Sequence, residues 1–307
     1  MSQTRSPSSA KPYGRARVCQ AWGVPRSSFY AQRSAQAQEQ AVVAPEAKPG
    51  PTPALSDQEL LRLIQADLAA SPFQGEGHRK VWARLRRQHQ VQVSKNRVLR
   101  LMREHRLLSP HRVPSQEGEP HDGQITTAAP NVRWGTDGMR VLTVEQGWVW
   151  IFAVVEHWNA ECLACHVAKL GDRFAALLPL LTALRLVFGS LVKDVARGLS
   201  LRLDHGCQYT SDYFVQQLHY YGLAASFAFV RQPQTNGVVE RFFRTLREQA
   251  IHGRTFRNAE ELRSAVADFV QKYNASWRLE KLNYRSPQEA RQELTNSCGC
   301  TSLNAES

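Results

Sequence analysis

Apolar residues along this chain change their spacing near residue 130, and the change divides the sequence in two. Upstream they recur every three or four residues. Ser56, with Glu59 three residues on, makes a capping box at a helix start, and Leu60, Leu61, Ile64 and Leu68 then follow at helical spacing. A second helix runs from about Gly77 to His89, with Val81, Trp82 and Leu85 inward and Arg79, Lys80, Arg84, Arg86 and Arg87 outward. After the short turn Gln90 to Val93, Ser94 caps a third helix with an apolar face of Val98, Leu101 and Met102; its other face carries Lys95, Arg97, Arg100, Arg103 and Arg106. Nearer the start, Arg15 to Arg33 reads as two short helical pieces broken by Gly23-Val24-Pro25, Pro25 being suited to a first helical turn.

Downstream the texture is that of strands. Asn131 to Thr143, Gly147 to Trp158 and Cys162 to Ala168 are three strands with hairpin-length connections, and Asp172 to Phe188 returns to helical spacing through Phe174, Leu177, Leu178, Leu181 and Leu184. A strand ending at Asp204, a helix from about Ser211 to Tyr221, a strand around Ala225 to Phe229 and a helix from about Gly237 to His252 follow. Three strands and then alternating helices and strands is the order of a ribonuclease-H-like fold, a mixed α/β sheet with helices on both faces. Ser34 to Ala54 and Ser109 to Pro130 are rich in Pro, Gly, Ala, Gln and Ser without apolar periodicity and read as linkers. The expected organisation is a short helical segment to residue 33, a linker to 55, an all-α domain over 56–108, a linker to 130, the α/β core over 131–257 and a helical C-terminal region over 258–307.

Charge adds a location to this outline. The net charge of +12 lies wholly in the first 112 residues, which hold 19 basic and 7 acidic side chains, while the rest holds 20 of each. An excess confined to the helical part is the footprint of a segment that grips phosphates. Together with a short turn joining two helices, the second of them basic, it points to a helix-turn-helix whose second helix enters a major groove of double-stranded DNA. Trp82 and Met102 fit its core better than base stacking. The 6 cysteines of the 307 residues make no disulfide framework and are expected to be reduced; Cys162-x-x-Cys165 has no second pair to complete a zinc site. No apolar run reaches the length of a membrane span and the start is polar, so a soluble, cytoplasmic protein is expected, with no membrane partner.

The candidate chemistry rests on three acids. Asp137 lies inside the first strand, where an unmatched carboxylate is costly to bury, Asp204 closes the fourth, and Glu240 follows Gly237 on a helix. Three carboxylates in one cleft repel one another unless divalent cations neutralise them, and such hard oxygen ligands select magnesium, with manganese as a substitute. Two ions, roughly 4 Å apart, suit in-line displacement at a phosphodiester with no nucleophilic side chain. Among other acids, Asp212 fits a helix start and Glu156 lies at the same sheet edge in this scheme, while Glu145, Asp194 and Glu248 remain competitors.

Thirty-five residues separate Asp204 from Glu240, and the local motifs are Trp134-Gly-Thr-Asp137, Asp204-His-Gly-Cys-Gln-Tyr-Thr-Ser211 and Asn236-Gly-Val-Val-Glu-Arg-Phe-Phe-Arg-Thr-Leu246, with Tyr273-Asn274 and Ser286-Pro287 downstream. From about Ser56 to Ala290 the chain resembles the second-reading-frame transposases of the insertion sequence three family, relatives of retroviral integrases. The resemblance implies that Asp137, Asp204 and Glu240 are the catalytic, metal-binding triad of an enzyme that cuts element ends and joins them to target DNA. It also implies a basic residue seven positions after the glutamate, here Arg247 where Lys is usual, which with Arg244 would contact DNA. Arg79, Lys80, Arg84, Lys95, Arg97, Arg100 and Arg103 would do so from the helical domain. The family further implies homo-oligomers on DNA, nucleoid association in a bacterium, and a fusion with an upstream frame. The zinc-binding amino-terminal domain of retroviral integrases has no counterpart, since no cysteine lies between Cys19 and Cys162. Two alternatives stay open: a catalytically inactive DNA-binding regulator, and a nuclease that cuts without joining. His205 and the Phe242/Phe243 pair are each open to a structural or a site role.

Overall fold

The computed structural model describes residues 5–7, 10–32, 54–109, 127–227 and 237–302, the last six of these by backbone alone. The two expected linkers fall largely outside this set, as do Pro233 to Asn236. Residues 1–55 form a unit of their own. Within it α1 (Arg15–Ala21) and α2 (residues 26–32) are the two predicted pieces, separated at Gly23, whose φ of +64° suits a residue without a side chain.

The second unit begins with α3 (Asp57–Ala70), α4 (His78–Gln88) and α5 (Lys95–Glu104). The capping box forms as expected: the Ser56 hydroxyl accepts from the Glu59 N–H, and the Glu59 carboxylate accepts from the Ser56 N–H at 3.0 Å. At the start of α5 the Ser94 hydroxyl accepts from the Arg97 N–H at 3.3 Å. Leu60, Ile64, Val81, Leu85, Val98, Leu101 and Met102 close a small core between the three helices. Trp82 is half-buried at its edge, its indole N–H donating to the Val93 carbonyl at 2.8 Å.

Arg84 corrects the expected outward basic face of α4. It is buried, with its guanidinium held by Asp67 at 2.7 Å and Glu76 at 2.6 Å, both carboxylates also buried. Lys80 also turns inward, its ammonium over the Trp277 ring and 3.6 Å from Glu76. The cause is that α4 packs on both sides, against α3 and against the C-terminal region. Phe73 meets Trp277 edge to face at 4.8 Å, Trp82 meets Tyr284 at 5.6 Å, and Gln74 and Gln249 exchange two hydrogen bonds.

The core sheet contains β1 (Arg133–Thr143), β2 (Gly147–Glu156), β3 (Cys162–Ala168), then after α6 (Arg173–Phe188) β4 (Ser200–Leu203), and after α7 (Cys207–Thr210) and α8 (Asp212–Tyr221) β5 (Ala224–Phe227). Its order is β3-β2-β1-β4-β5, antiparallel among the first three and parallel from β1 to β4 to β5. This is the ribonuclease-H-like arrangement expected from the element order. The sheet is followed by α9 (Gly237–Leu246), one π-helical turn (Arg247–Ile251), α10 (Ala259–Ser276), a short 3-10 turn (Glu280–Leu282) and α11 (Pro287–Ser302).

Alternation along the strands sorts the core into two layers. Trp134, Phe152, Val154, Leu201 and Leu203 pack against α6, α7 and α8, whereas Met139, Val141, Ile151, Ala153 and Val155 pack against α9 and α10. Edge strand β3 is covered by Asn274 of α10, whose amide accepts from the Cys162 N–H and donates to its carbonyl.

Gly138 of β1 pairs with Phe152 of β2, whose ring fills the space beside it. A Cβ there would lie 2.6 Å from the Phe152 ring, which is fully buried and stacked on Trp150. Gly138→Ala is expected to destabilise the core by about 1–3 kcal/mol through overpacking, seen as a lowered denaturant midpoint; an unchanged midpoint contradicts this packing.

Candidate active site

Each of the three acids arrives on a different element. β1 and β4 run parallel with Gly135 opposite Arg202, and two further residues along both strands bring Asp137 beside Asp204. Trp134 and Leu203 point into the α6 layer, so alternation sends Asp137 and Asp204 to the other face. That is the face covered by α9, which inserts Val239, Phe242, Phe243 and Leu246 and carries Glu240, exposed, in its first turn. Phe242 and Phe243 are therefore packing residues.

One backbone donor fixes each aspartate. The Gly138 N–H donates to Asp137 Oδ1 at 2.7 Å, and the Gly206 N–H to Asp204 Oδ1 at 2.9 Å. Burial pushes the Asp137 carboxyl up to about 6; the Gly138 donor opposes this, and the negative charges of Asp204 and Glu240 add to it. Partial desolvation also raises the Glu240 carboxyl, against Arg244 and Arg241 on its own helix. Among the described residues no three His, Cys, Asp or Glu side chains close into a single coordination cage. The arrangement is an aspartate pair on the sheet with Glu240 across from it, close enough to be felt by Asp137. Beneath the pair, in the opposite layer, the buried Tyr209 phenol is pushed well up by burial and by the two aspartate charges.

This geometry has a consequence for stability. A folded-state value near 6 against an ordinary 3.8 means that the folded chain holds the Asp137 proton more tightly than the unfolded chain. Stability from this residue is therefore present below about pH 4 and lost as pH rises towards about 6, roughly 3 kcal/mol in all. Without divalent cations, Asp137→Asn is expected to raise the melting temperature at pH 7.5 and to leave it nearly unchanged at pH 4; equal melting at pH 7.5 contradicts the strained pair.

The remaining candidates divide. Glu156 is excluded from the cleft: it is fully buried on the opposite face, accepting from the Asn131 N–H, the Trp134 indole N–H and the Trp158 N–H. Asp212 opens α8, Asp194 pairs with Arg197, and Glu145 lies by Arg257. His205 stacks on Phe227 at 5.5 Å. Arg244 and Arg247 are exposed on the helix of Glu240. Seven α-helical steps fall about 20° short of two full turns, so Arg247 shares the face of Glu240 just where the π turn begins. In the helical domain Arg79 pairs with Glu280, Arg97 and Arg100 share Asp57, Lys95 lies over Trp82, and Arg103 is exposed on the last turn of α5. The Cys162 and Cys165 sulfurs are 3.4 Å apart as free thiols.

A basic three-helix domain docked on a mixed sheet with an acidic cleft defines a class, and the known families agree with it. Residues 56–114 match an HTH-like domain and residues 221–287 an integrase core domain, the latter including Glu240. The chain is homologous to InsD transposases of insertion element IS2 and carries an integrase core domain. It is 27% identical over 222 residues to the InsD transposase of insertion element IS2A/D/F/H/I/K from Escherichia coli, covering 69% of this chain and 72% of that relative. For the InsD transposase of IS2-9 from E. coli K12 the identity is also 27%, with 69% and 71% covered. Among solved structures, the catalytic core domain of BIV integrase matches 54% of this chain and 97% of its own at 19% identity, with a TM-score of 0.39.

Proposed function

We propose that this protein is a DDE transposase that nicks the ends of an insertion sequence and joins the freed 3′-hydroxyl to a new phosphate. The observation that carries the proposal is the strand register setting Asp137 beside Asp204 under Glu240. The donor set fits divalent cations: three hard oxygen ligands, one of them pushed upward by burial and, secondarily, by its neighbours' charge. Asp137 and Asp204 would hold two magnesium ions, or manganese in their place, from the sheet, and Glu240 from the helix. Bound there, the cations neutralise the acids and the phosphate and activate the attacking and leaving oxygens.

The chain's own residues do the rest. The Gly138 and Gly206 donors orient the two aspartates through Oδ1, leaving Oδ2 for ligation. The layer of Val239, Phe242 and Phe243 keeps α9 seated, while Arg244 and Arg247 offer charge to DNA near the scissile phosphate. Lys95, Arg97, Arg100 and Arg103 make α5 the helix that meets the element end, with Arg79 at its flank; Arg84 and Lys80 are occupied within the protein. Two DNA ends must be brought together, which calls for a homo-oligomer, and fusion to an upstream frame is part of the same proposal. Among the described residues no helix is long and apolar enough to cross a membrane, and the proposed place of action is the bacterial nucleoid.

The test is incubation of the protein with a labelled duplex ending in the element terminus, with magnesium present. Nicked and then joined products are expected. Binding without nicking across magnesium and manganese would make the protein a regulator, and nicking without joining a nuclease.

A further inference from the structure

A second charged cluster lies on the same sheet face as the acids, towards the other end of the strands, and the chemistry above leaves it unused. Arg133 opens β1, and its carbonyl accepts from the N–H of His157, which follows β2. Arg202 of β4 stands opposite Gly135. Lys281, in the 3-10 turn, donates from Nζ to the His157 carbonyl at 2.9 Å. The two arginines also donate to hydroxyls: Arg133 Nε to Ser200 Oγ at 3.1 Å, and Arg202 Nη1 to Ser226 Oγ at 2.8 Å.

These groups face like charge. The His157 ring is 3% exposed, and neither ring nitrogen has a hydrogen-bond partner among the described residues. Burial and the positive charges of Arg133, Lys281 and Arg202 hold it down at about 4, so it is neutral and keeps one N–H to donate. Burial and then Arg241 lower the Lys281 ammonium to about 8, and only Glu156 opposes them. Among the described residues neither Arg133 nor Lys281 reaches a carboxylate at ion-pair distance. Glu156, the acid whose charge reaches Lys281, is engaged on the opposite face by three N–H donors. A buried donor without an acceptor, ringed by cations, is a site shaped for an anion.

We propose that Arg133, His157, Arg202 and Lys281 form a subsite for a backbone phosphate of the DNA strand that reacts at the acids. This rests on the transposase proposal for the identity of the anion's carrier. Arg202 is two residues from Asp204 and Arg133 four from Asp137, about 7 and 13 Å along the strands. At roughly 3.4 Å of rise per nucleotide, the bound phosphate lies two to four nucleotides from the reacting one. The strand is thereby aligned along β1 and β4, and the guanidinium forks supply paired donors to its oxygens.

The test uses the full chain, with the His157 ring resonances followed during titration with inorganic phosphate against a chloride control. A saturable shift is expected, weakened at least about fivefold in Arg133→Gln and in Lys281→Gln. Each variant should also lower the slope of log affinity against log salt for a duplex by about 1. Relief of repulsion should leave the melting temperature of Arg133→Gln in phosphate-free, low-salt buffer unchanged or raised, whereas a purely structural arginine would lower it. His157 resonances unmoved by phosphate overturn the subsite. So do unchanged salt slopes in both variants, which would leave a site for free anions rather than DNA. None of these measurements requires cutting: phosphate binding with reduced slopes but no nicking sinks the transposase proposal alone, and nicking with a silent His157 sinks the subsite alone.

Discussion

Asp137→Asn, Asp204→Asn and Glu240→Gln are each expected to lower DNA nicking and joining by at least about a thousandfold, or about 4 kcal/mol of transition-state stabilisation, with duplex affinity within about twofold of the parent. Each exchange keeps the shape of the side chain and removes one negative oxygen ligand. In the proposed site the remaining two carboxylates would not balance two dications and a phosphate. The neutral amides leave the basic α5 untouched, so binding survives where chemistry does not. The asymmetry of the site adds an order to the series. Asp137 is half-buried with its carboxyl pushed up to about 6, and its replacement removes that cost in the cation-free protein, so this variant should be more stable and inactive together. Gel analysis of labelled duplex, with band-shift affinity on the same preparations, decides the matter. Near-parental joining by any of the three would remove that residue from the chemistry.

The largest expected effect on stability lies in the helical domain. Arg84→Met is expected to destabilise it by about 3–5 kcal/mol, because Asp67 and Glu76 would remain buried without their shared counter-ion. Burial is the largest influence on the Arg84 guanidinium and acts to lower its pKa, yet the two carboxylates together leave it raised. Exchanging all three for apolar residues of similar volume should recover most of the loss, since the pair interactions and the desolvation they offset vanish together. Urea unfolding of the single and triple variants measures both. A loss below about 1 kcal/mol in Arg84→Met would show that water reaches the cluster.

Arg84 also shows where the sequence stops being legible. Its helical angle places it beside Lys80 and Arg87, but its partners lie 17 and 8 residues away, and nothing in the spacing reveals that α4 is covered on two sides. Lys80 was obscured by the same cause, its neighbour Trp277 coming from the far end of the chain. The carboxylates were readable because they sit in short motifs at a characteristic separation, and the strands because Val, Trp and Ile alternate or run together there. What the motifs could not supply was the face: the parallel register of β1 and β4 puts Asp137 beside Asp204, and the antiparallel pairing of Glu156 with Trp134 sends Glu156 to the opposite layer. Neither the π turn at Arg247–Ile251 nor the one-turn α7 carries a distinctive composition, so the first merges into the predicted helix ending near His252 and the second falls between the strand ending at Asp204 and the helix expected from Ser211. The cationic cluster is the extreme case. Its four residues come from β1, the end of β2, β4 and a C-terminal turn, and no local pattern joins them.

The central claim is that Asp137, Asp204 and Glu240 share divalent cations, and manganese binding tests it most directly. Titrating Mn2+ into the full chain and reading the free ion by electron paramagnetic resonance is expected to show saturable binding that disappears in the Asp137→Asn/Asp204→Asn double variant and weakens in Glu240→Gln. Binding of equal strength and stoichiometry in parent and double variant would contradict it.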